Sequence, residues 1–280
     1  MAETVTSKKK KKKEEPAEMS FLSHLDALRG TLFRSAIAVL ILSVVAFMNR
    51  KLIFDEIILA PKESSFITYK LLCQLGQLLH TPSLCLGNYE INIINLNLSG
   101  QFYSHMTISF YAGIILAAPY VLWEFWRFIK PAMYDNEKKH SKGAVTIMSL
   151  LFILGVLFSY YVLVPITLNF FGTYSISDQI ANQISLSSYI STFTSVTLSV
   201  GVVFELPVLI YFLTKIGIVT PEFLRRIRKY MIIIILTIAA IVTPPDVFSQ
   251  ILVSIPLLAL YEISIIVSSR IEKKQLSEEL

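Results

Sequence analysis

Carboxylates set in apolar surroundings are the residues of this chain best placed to do chemistry. Glu205 stands in Ser199-Val-Gly-Val-Val-Phe-Glu205-Leu-Pro207-Val-Leu-Ile-Tyr-Phe-Leu213, a run apolar enough to lie in a bilayer. A charge at that depth costs roughly 2.5–3.5 kcal/mol on insertion scales, so it turns toward protein or a wet cavity. Pro207 follows two residues later, frees a backbone carbonyl and bends the helix. Two readings of Glu205 stand side by side: a functional intramembrane acid, or a hydrogen-bonded carboxylate that holds helices together. Asp246 follows Thr243-Pro244-Pro245, and Glu262 lies in the last apolar run. Asp26, Glu124, Asp135 and Glu137 fall near basic connections, where each alone reads as an ordinary solvated charge. Carboxylates at a membrane interface can also accept charge-assisted, bidentate hydrogen bonds from arginine.

Other chemistries lack their residues. There is no G-x-x-x-x-G-K-[ST] loop, no H-E-x-x-H and no cysteine pair at zinc spacing. The four histidines, His24, His80, His105 and His140, are scattered. No serine sits in a Gly-rich context with a partner base. The chain therefore reads as a non-enzyme with no catalytic residue, cofactor or metal site.

The elements that must position these acids are membrane helices. The 280 residues are 54% hydrophobic and only 16% charged, against roughly 25% charged in a soluble domain. Mean hydropathy is +0.61. The net charge of +5 lies between apolar runs, which is a topology signal and not a nucleic-acid footprint.

Residues 1–19 form a charged tail with six consecutive lysines, Lys8 to Lys13, and are expected to be disordered and cytoplasmic. Phe21, Leu22, Leu25, Leu28 and Leu32 recur at helical spacing, which predicts a short interfacial helix leading into a first span over 32–48. Arg34 is placed to snorkel toward the cytoplasm. Residues 49–101 make a long connection, expected to hold a short helix near Tyr69–Leu79 and strand-like backbone near Ile91–Leu98, and to cap one side of the bundle. Apolar runs follow at 102–125, 144–171, 186–213, 231–242 and 247–267. The run over 231–242 is about 12 residues and reaches roughly 18 Å at 1.5 Å per residue, short of the ~30 Å hydrocarbon core. Pro119, Pro165, Pro207 and Pro256 predict bent helices.

The basic residues cluster before the first span, around Lys138, around Arg226 and in the tail over 271–280. The positive-inside rule then puts both termini in the cytoplasm, with six spans over residues 20–270 and the 49–101 connection outside. Cys73 and Cys85 both lie in that connection. They are either one disulfide in an oxidising periplasm or two unpaired small hydrophobes.

Taken in order, five segments resemble the TatC family, the multispanning core of the twin-arginine protein translocase. They are Ser20-Phe-Leu-Ser-His24-Leu-Asp26-Ala-Leu28-Arg29; Ala60-Pro61; Ala118-Pro119-Tyr-Val-Leu-Trp-Glu-Phe-Trp-Arg-Phe128-Ile-Lys-Pro131-Ala-Met-Tyr134-Asp-Asn-Glu137; Gly201-Val-Val-Phe-Glu205-Leu-Pro207; and Thr243-Pro-Pro-Asp246-Val-Phe-Ser-Gln250. The resemblance implies a curved, glove-like, all-α membrane protein of six helices, the last two short, in the bacterial cytoplasmic (inner) membrane. It implies binding of twin-arginine signal peptides on folded cargo, recruitment of single-span TatA- and TatB-type partners, homo-oligomers within the complex, and transport driven by the proton-motive force.

The family's signal-binding acid matches Glu137, with Phe128 as the aromatic before it. Its intramembrane acid matches Glu205, beside Pro207, and its outer-turn acid matches Asp246. The amino-terminal family pattern His-Leu-x-Glu-Leu-Arg is kept at Arg29, but Ala27 stands where the glutamate is expected and the acid is Asp26. That shift turns the carboxylate by about 100° on a helix. Asp26 and Arg29 are thus the amino-terminal candidates for signal-peptide contact. The alternative function, a proton-coupled secondary transporter relaying through Glu205 and Glu262, predicts paired broken helices in two repeated halves, and the halves show no such match. A scaffold without cargo recognition leaves the acids unexplained.

Overall fold

The computed structural model describes residues 21–78, 80–81, 85, 92–129, 143–177, 179, 182–242 and 247–279. Helix α1, Phe21–Met48, merges the expected interfacial segment and first span into one continuous rod. The connection after it winds through a wide π-type turn, Lys51–Ile58, and a 3-10 turn, Ala60–Lys62, into helix α2, Ile67–Leu78. Strand β1, Ile93–Ile94, leads to helix α3, Gly100–Ile129.

The third apolar run is helix α4, Ala144–Phe158, a π-type stretch over Ser159–Leu163, and helix α5, Val164–Thr173. Strand β2, Ile184–Ser185, precedes helix α6, Leu186–Val203. Then come helix α7, Leu206–Lys215, helix α8, Pro221–Val242, and helix α9, Val247–Glu279.

Five of these helical stretches, over 25–48, 100–129, 144–173, 186–215 and 250–273, are long and apolar enough to cross a membrane. Helix α8 has 22 residues and extends beyond its apolar run over 231–242, because the basic stretch before it continues the same helix. Glu222, Arg225, Arg226, Arg228 and Lys229 occupy its first half, so only its second half is apolar. Helix α9 likewise outruns the apolar residues 247–267 and carries the expected tail as a helical extension to Glu279.

Small residues set the closest helix crossings, as membrane packing favours. A Cβ on Gly113 of α3 would overlap the Ser43 side chain and backbone of α1. A Cβ on Gly155 of α4 would lie 2.8 Å from the Phe204 ring, and Gly201 of α6 approaches the same place.

The long connection closes one end of the bundle by satisfying backbone that prolines and helix ends leave unpaired. Pro165 has no N–H to offer the carbonyl of Tyr161, and the Thr68 hydroxyl donates to that carbonyl instead. The Tyr160 hydroxyl donates to Ile57 O at 3.0 Å and the Tyr189 hydroxyl to Ile58 O at 2.5 Å. The buried Tyr69 hydroxyl lies 3.0 Å from the carbonyl oxygens of both Pro61 and Pro165. In parallel pairing, β1 and β2 match Ile93 with Ile184 and Ile94 with Ser185. Beneath sits a core of Ile58, Ile108, Val164, Leu168, Tyr189, Ile190 and Phe193.

Cys73 in α2 and Cys85 are joined by a disulfide across 12 residues. Protein isolated from native membranes without reductant is expected to show no free thiol on denaturation, and two after reduction. Two thiols before reduction would remove the bridge.

Candidate functional site

Helices α1 and α3 run antiparallel and share a charge pair in which the acid is buried and the half-exposed arginine covers it. Glu124 is 1% exposed, inside an apolar helix. Arg34 Nε donates to its Oε1 at 2.9 Å and Nη2 to its Oε2 at 2.8 Å, a bidentate fork. The Tyr120 hydroxyl adds a third bond to Oε1 at 3.1 Å. Both carboxylate oxygens are thereby satisfied, as a buried charge requires.

The sequence reading missed this pair. It gave Arg34 to the interface and Glu124 to solvent, whereas 90 residues of intervening chain fold back to bring them together. The available signal was an arginine and a glutamate of opposite charge, each just inside the end of an apolar run.

The pair sets the register of the two helices. From it, Arg29 lies five residues back along α1 and Phe128 four residues on along α3, so both sit at the same end of the bundle. At 1.5 Å per residue those offsets are about 7.5 and 6 Å. Asp26 and Arg29 are exposed and Phe128 is half-buried. Trp123 is partly exposed, with the Arg127 guanidinium 5.7 Å from its ring centre. This end thus presents an acid, two arginines and aromatic rings. The loop over 130–142, which carries Glu137 and follows directly from α3, lies outside the described residues.

Glu205 marks the break between α6 and α7. Pro207 is buried at the start of α7 and has no N–H for the carbonyl of Val203. The backbone tightens there: the Glu205 N–H bonds Val202 O at 3.1 Å, three residues back. Neither carboxylate oxygen of Glu205 is accessible, and neither has a hydrogen-bond partner among the described residues. Just beyond, Val208 packs with Trp126 and Met148, and the Phe212 ring lies 4.7 Å from Trp126. The broken helix is therefore seated against the same end of α3 that carries the Arg34–Glu124 pair.

Glu262 of α9 is held by Arg228 of α8 at 2.8 Å, both half-exposed. Arg225 donates to the Ser269 hydroxyl at 3.1 Å on the same seam. Glu124 and Glu262 thus both have arginine partners, and Glu205 has none among the described residues. A relay through Glu205 and Glu262 meets an ion pair at its second station. Asp246 lies outside the described residues. Among those residues, no three His, Cys, Asp or Glu side chains converge as a metal site would require.

Fold and site together define a multi-pass membrane protein with its internal charges on helix seams. The family model for the Sec-independent protein translocase protein (TatC) matches residues 23–256. The Sec-independent protein translocase protein TatC of Blattabacterium sp. subsp. Periplaneta americana (strain BPLAN) is 41% identical over 263 residues, covering 93% of this chain and 99% of its own. That of Aquifex aeolicus (strain VF5) is 36% identical over 258 residues, covering 92% and 98%. A crystal structure of the twin arginine translocase receptor TatC in DDM superposes with a TM-score of 0.71 at 36% identity, covering 88% of this chain and 99% of that one. The chain belongs to the TatC family of Sec-independent protein translocases.

Removing one partner of the buried pair leaves a charge without its counter-ion. Glu124→Ala is expected to lower the unfolding temperature, because Arg34 loses both acceptors of its fork, though by less than stranding a fully buried charge would, since the guanidinium is half-exposed. Arg34→Met with Glu124→Leu removes both charges and is expected to restore most of that loss. Thermal unfolding of purified protein in detergent checks both; a double variant as unstable as the single would refute the pairing.

Proposed function

We propose that this chain is the signal-peptide receptor of its translocase, reading paired arginines on the cytoplasmic side and passing cargo to single-span partners. In this reading all six apolar runs cross the membrane, with α8 as a short, half-apolar crossing and both termini cytoplasmic. Glu137 accepts the guanidinium of the peptide, and Phe128 supports it as the aromatic before the loop. Asp26 and Arg29 approach from α1 at the same end. The Ala27 departure leaves more of the recognition to Glu137.

The observation that carries the proposal is the carboxylate of Glu205. It is buried at a helix break with no partner in its own chain among the described residues. A group in that state is stabilised by a donor from another chain, since hydrocarbon offers none. A polar side chain on a TatA- or TatB-type helix is the partner that fits, and Pro207 holds the break open for it. Asp246 acts from the outer turn in the same step. Movement of folded cargo then draws on the proton-motive force, in a complex holding more than one copy of this chain in the bacterial inner membrane.

Photo-crosslinking from position 137 in native membranes, with signal peptides bearing Arg-Arg or Lys-Lys, tests recognition. Crosslinks are expected with Arg-Arg and sharply fewer with Lys-Lys. Glu137→Ala is expected to abolish peptide binding. Glu205→Ala is expected to keep it while impairing partner assembly and export. Normal export by both variants would overturn these roles.

A further inference from the structure

At the end of the bundle away from Arg34, a cavity of about 810 Å³ opens between the long connection and the ends of α1 and α3. Its polar lining holds three cations, Arg50, Lys51 and Lys62, with one carboxylate, Asp55, and His105. Three positive charges against one negative leave a net charge of +2 with His105 neutral. None of Arg50, Lys51 or Lys62 makes an ion pair or side-chain hydrogen bond among the described residues, although Asp55 shares the cavity.

The walls are apolar and fixed. Phe54, Leu59, Ile93 and Leu186 line the cavity and belong to or pack against the core whose backbone the tyrosine hydroxyls hold. The His105 ring stacks on Phe47 at 4.0 Å and its Nε2 lies 3.1 Å from Phe47 O, tying α3 to the end of α1. Leu98 and Phe102 also line the cavity and are exposed, as is Met48 at the end of α1.

We propose that this cavity binds the headgroup of an anionic phospholipid. The position selects a lipid over a free anion. Arg50 and Lys51 directly follow a span that ends at Met48, and His105 lies in the second turn of α3, which places the cations at headgroup level. The exposed Phe102 and Leu98 continue the site toward acyl chains, which a free phosphate does not have. The volume falls within the roughly 300–1,000 Å³ of sites that hold whole small ligands. Basic residues near an anionic surface each favour it, and three converging on one headgroup select charge over a zwitterion. The leaflet follows from the orientation proposed above; the site itself does not depend on it.

Full-length protein reconstituted in phosphatidylcholine vesicles with a small fraction of photoreactive phosphatidylglycerol provides the test, with labelled peptides mapped by mass spectrometry. Labelling is expected over 49–62 and 92–105, displaced by unlabelled phosphatidylglycerol but not by inorganic phosphate. The triple change Arg50→Gln, Lys51→Gln and Lys62→Gln is expected to lower it about tenfold or more. Asp55→Asn keeps the cations, removes the competing carboxylate and is expected to raise it, which tests the site should the triple variant misfold. Equal labelling by photoreactive phosphatidylcholine, or no response to either set of changes, would overturn the proposal. Displacement by inorganic phosphate would overturn the lipid reading in favour of a free anion site.

Discussion

A bilayer offers no solvent for a charge, and this structure depends on how it meets that constraint. Arg34, Tyr120 and Glu124 form a closed set in which both carboxylate oxygens are bonded. Attraction between such groups is strong in a low dielectric, and so is the penalty for separating them. The pair therefore fixes the register of α1 against α3. Gly113 packed on Ser43 and His105 stacked on Phe47 continue the same antiparallel match along the two helices. The candidate recognition residues at one end and the basic cavity at the other both inherit their geometry from that alignment.

Proline exerts a second control, and its effect depends on what surrounds it. At Pro165 the orphaned Tyr161 carbonyl is satisfied by Thr68 from the long connection, so the widened helix is tied to the cap. At Pro207 the break carries an acid whose oxygens have no donor among the described residues. One proline is thus compensated within the chain, while the other leaves a polar group in need of a partner. This difference separates a structural bend from a candidate contact point. On the α8–α9 seam, Glu262 likewise has its counter-charge within the chain, in Arg228.

The chain determined its class through composition. Few charges and long apolar runs leave no soluble way to bury the surface, and proline and glycine positions mark where helices bend or touch. The helix near Tyr69 and the strand-like backbone near Ile93 were also legible, because local periodicity reports local structure. The ordered segments from Ser20 to Gln250 were enough to suggest the family, which the matching family model and relatives then showed. Helix lengths were read less well: the basic residues before Met231 looked like loop, yet they continue α8, since a charged stretch is as able to be helical as an apolar one.

Only tertiary structure decided which charges meet. Arg34 and Glu124 are 90 residues apart, and neither carries a local signal that it has a partner. Between a free snorkelling arginine and one forked onto a buried acid, the choice rests on which helix lies alongside, and that is set by packing across the whole bundle. The same holds for the cavity behind Arg50, whose walls come from three separated stretches of the chain, 50–62, 93–105 and Leu186. Sequence spacing fixes what lies on one face of one helix; the pairing of faces is a property of the assembled bundle, where each contact depends on all the others.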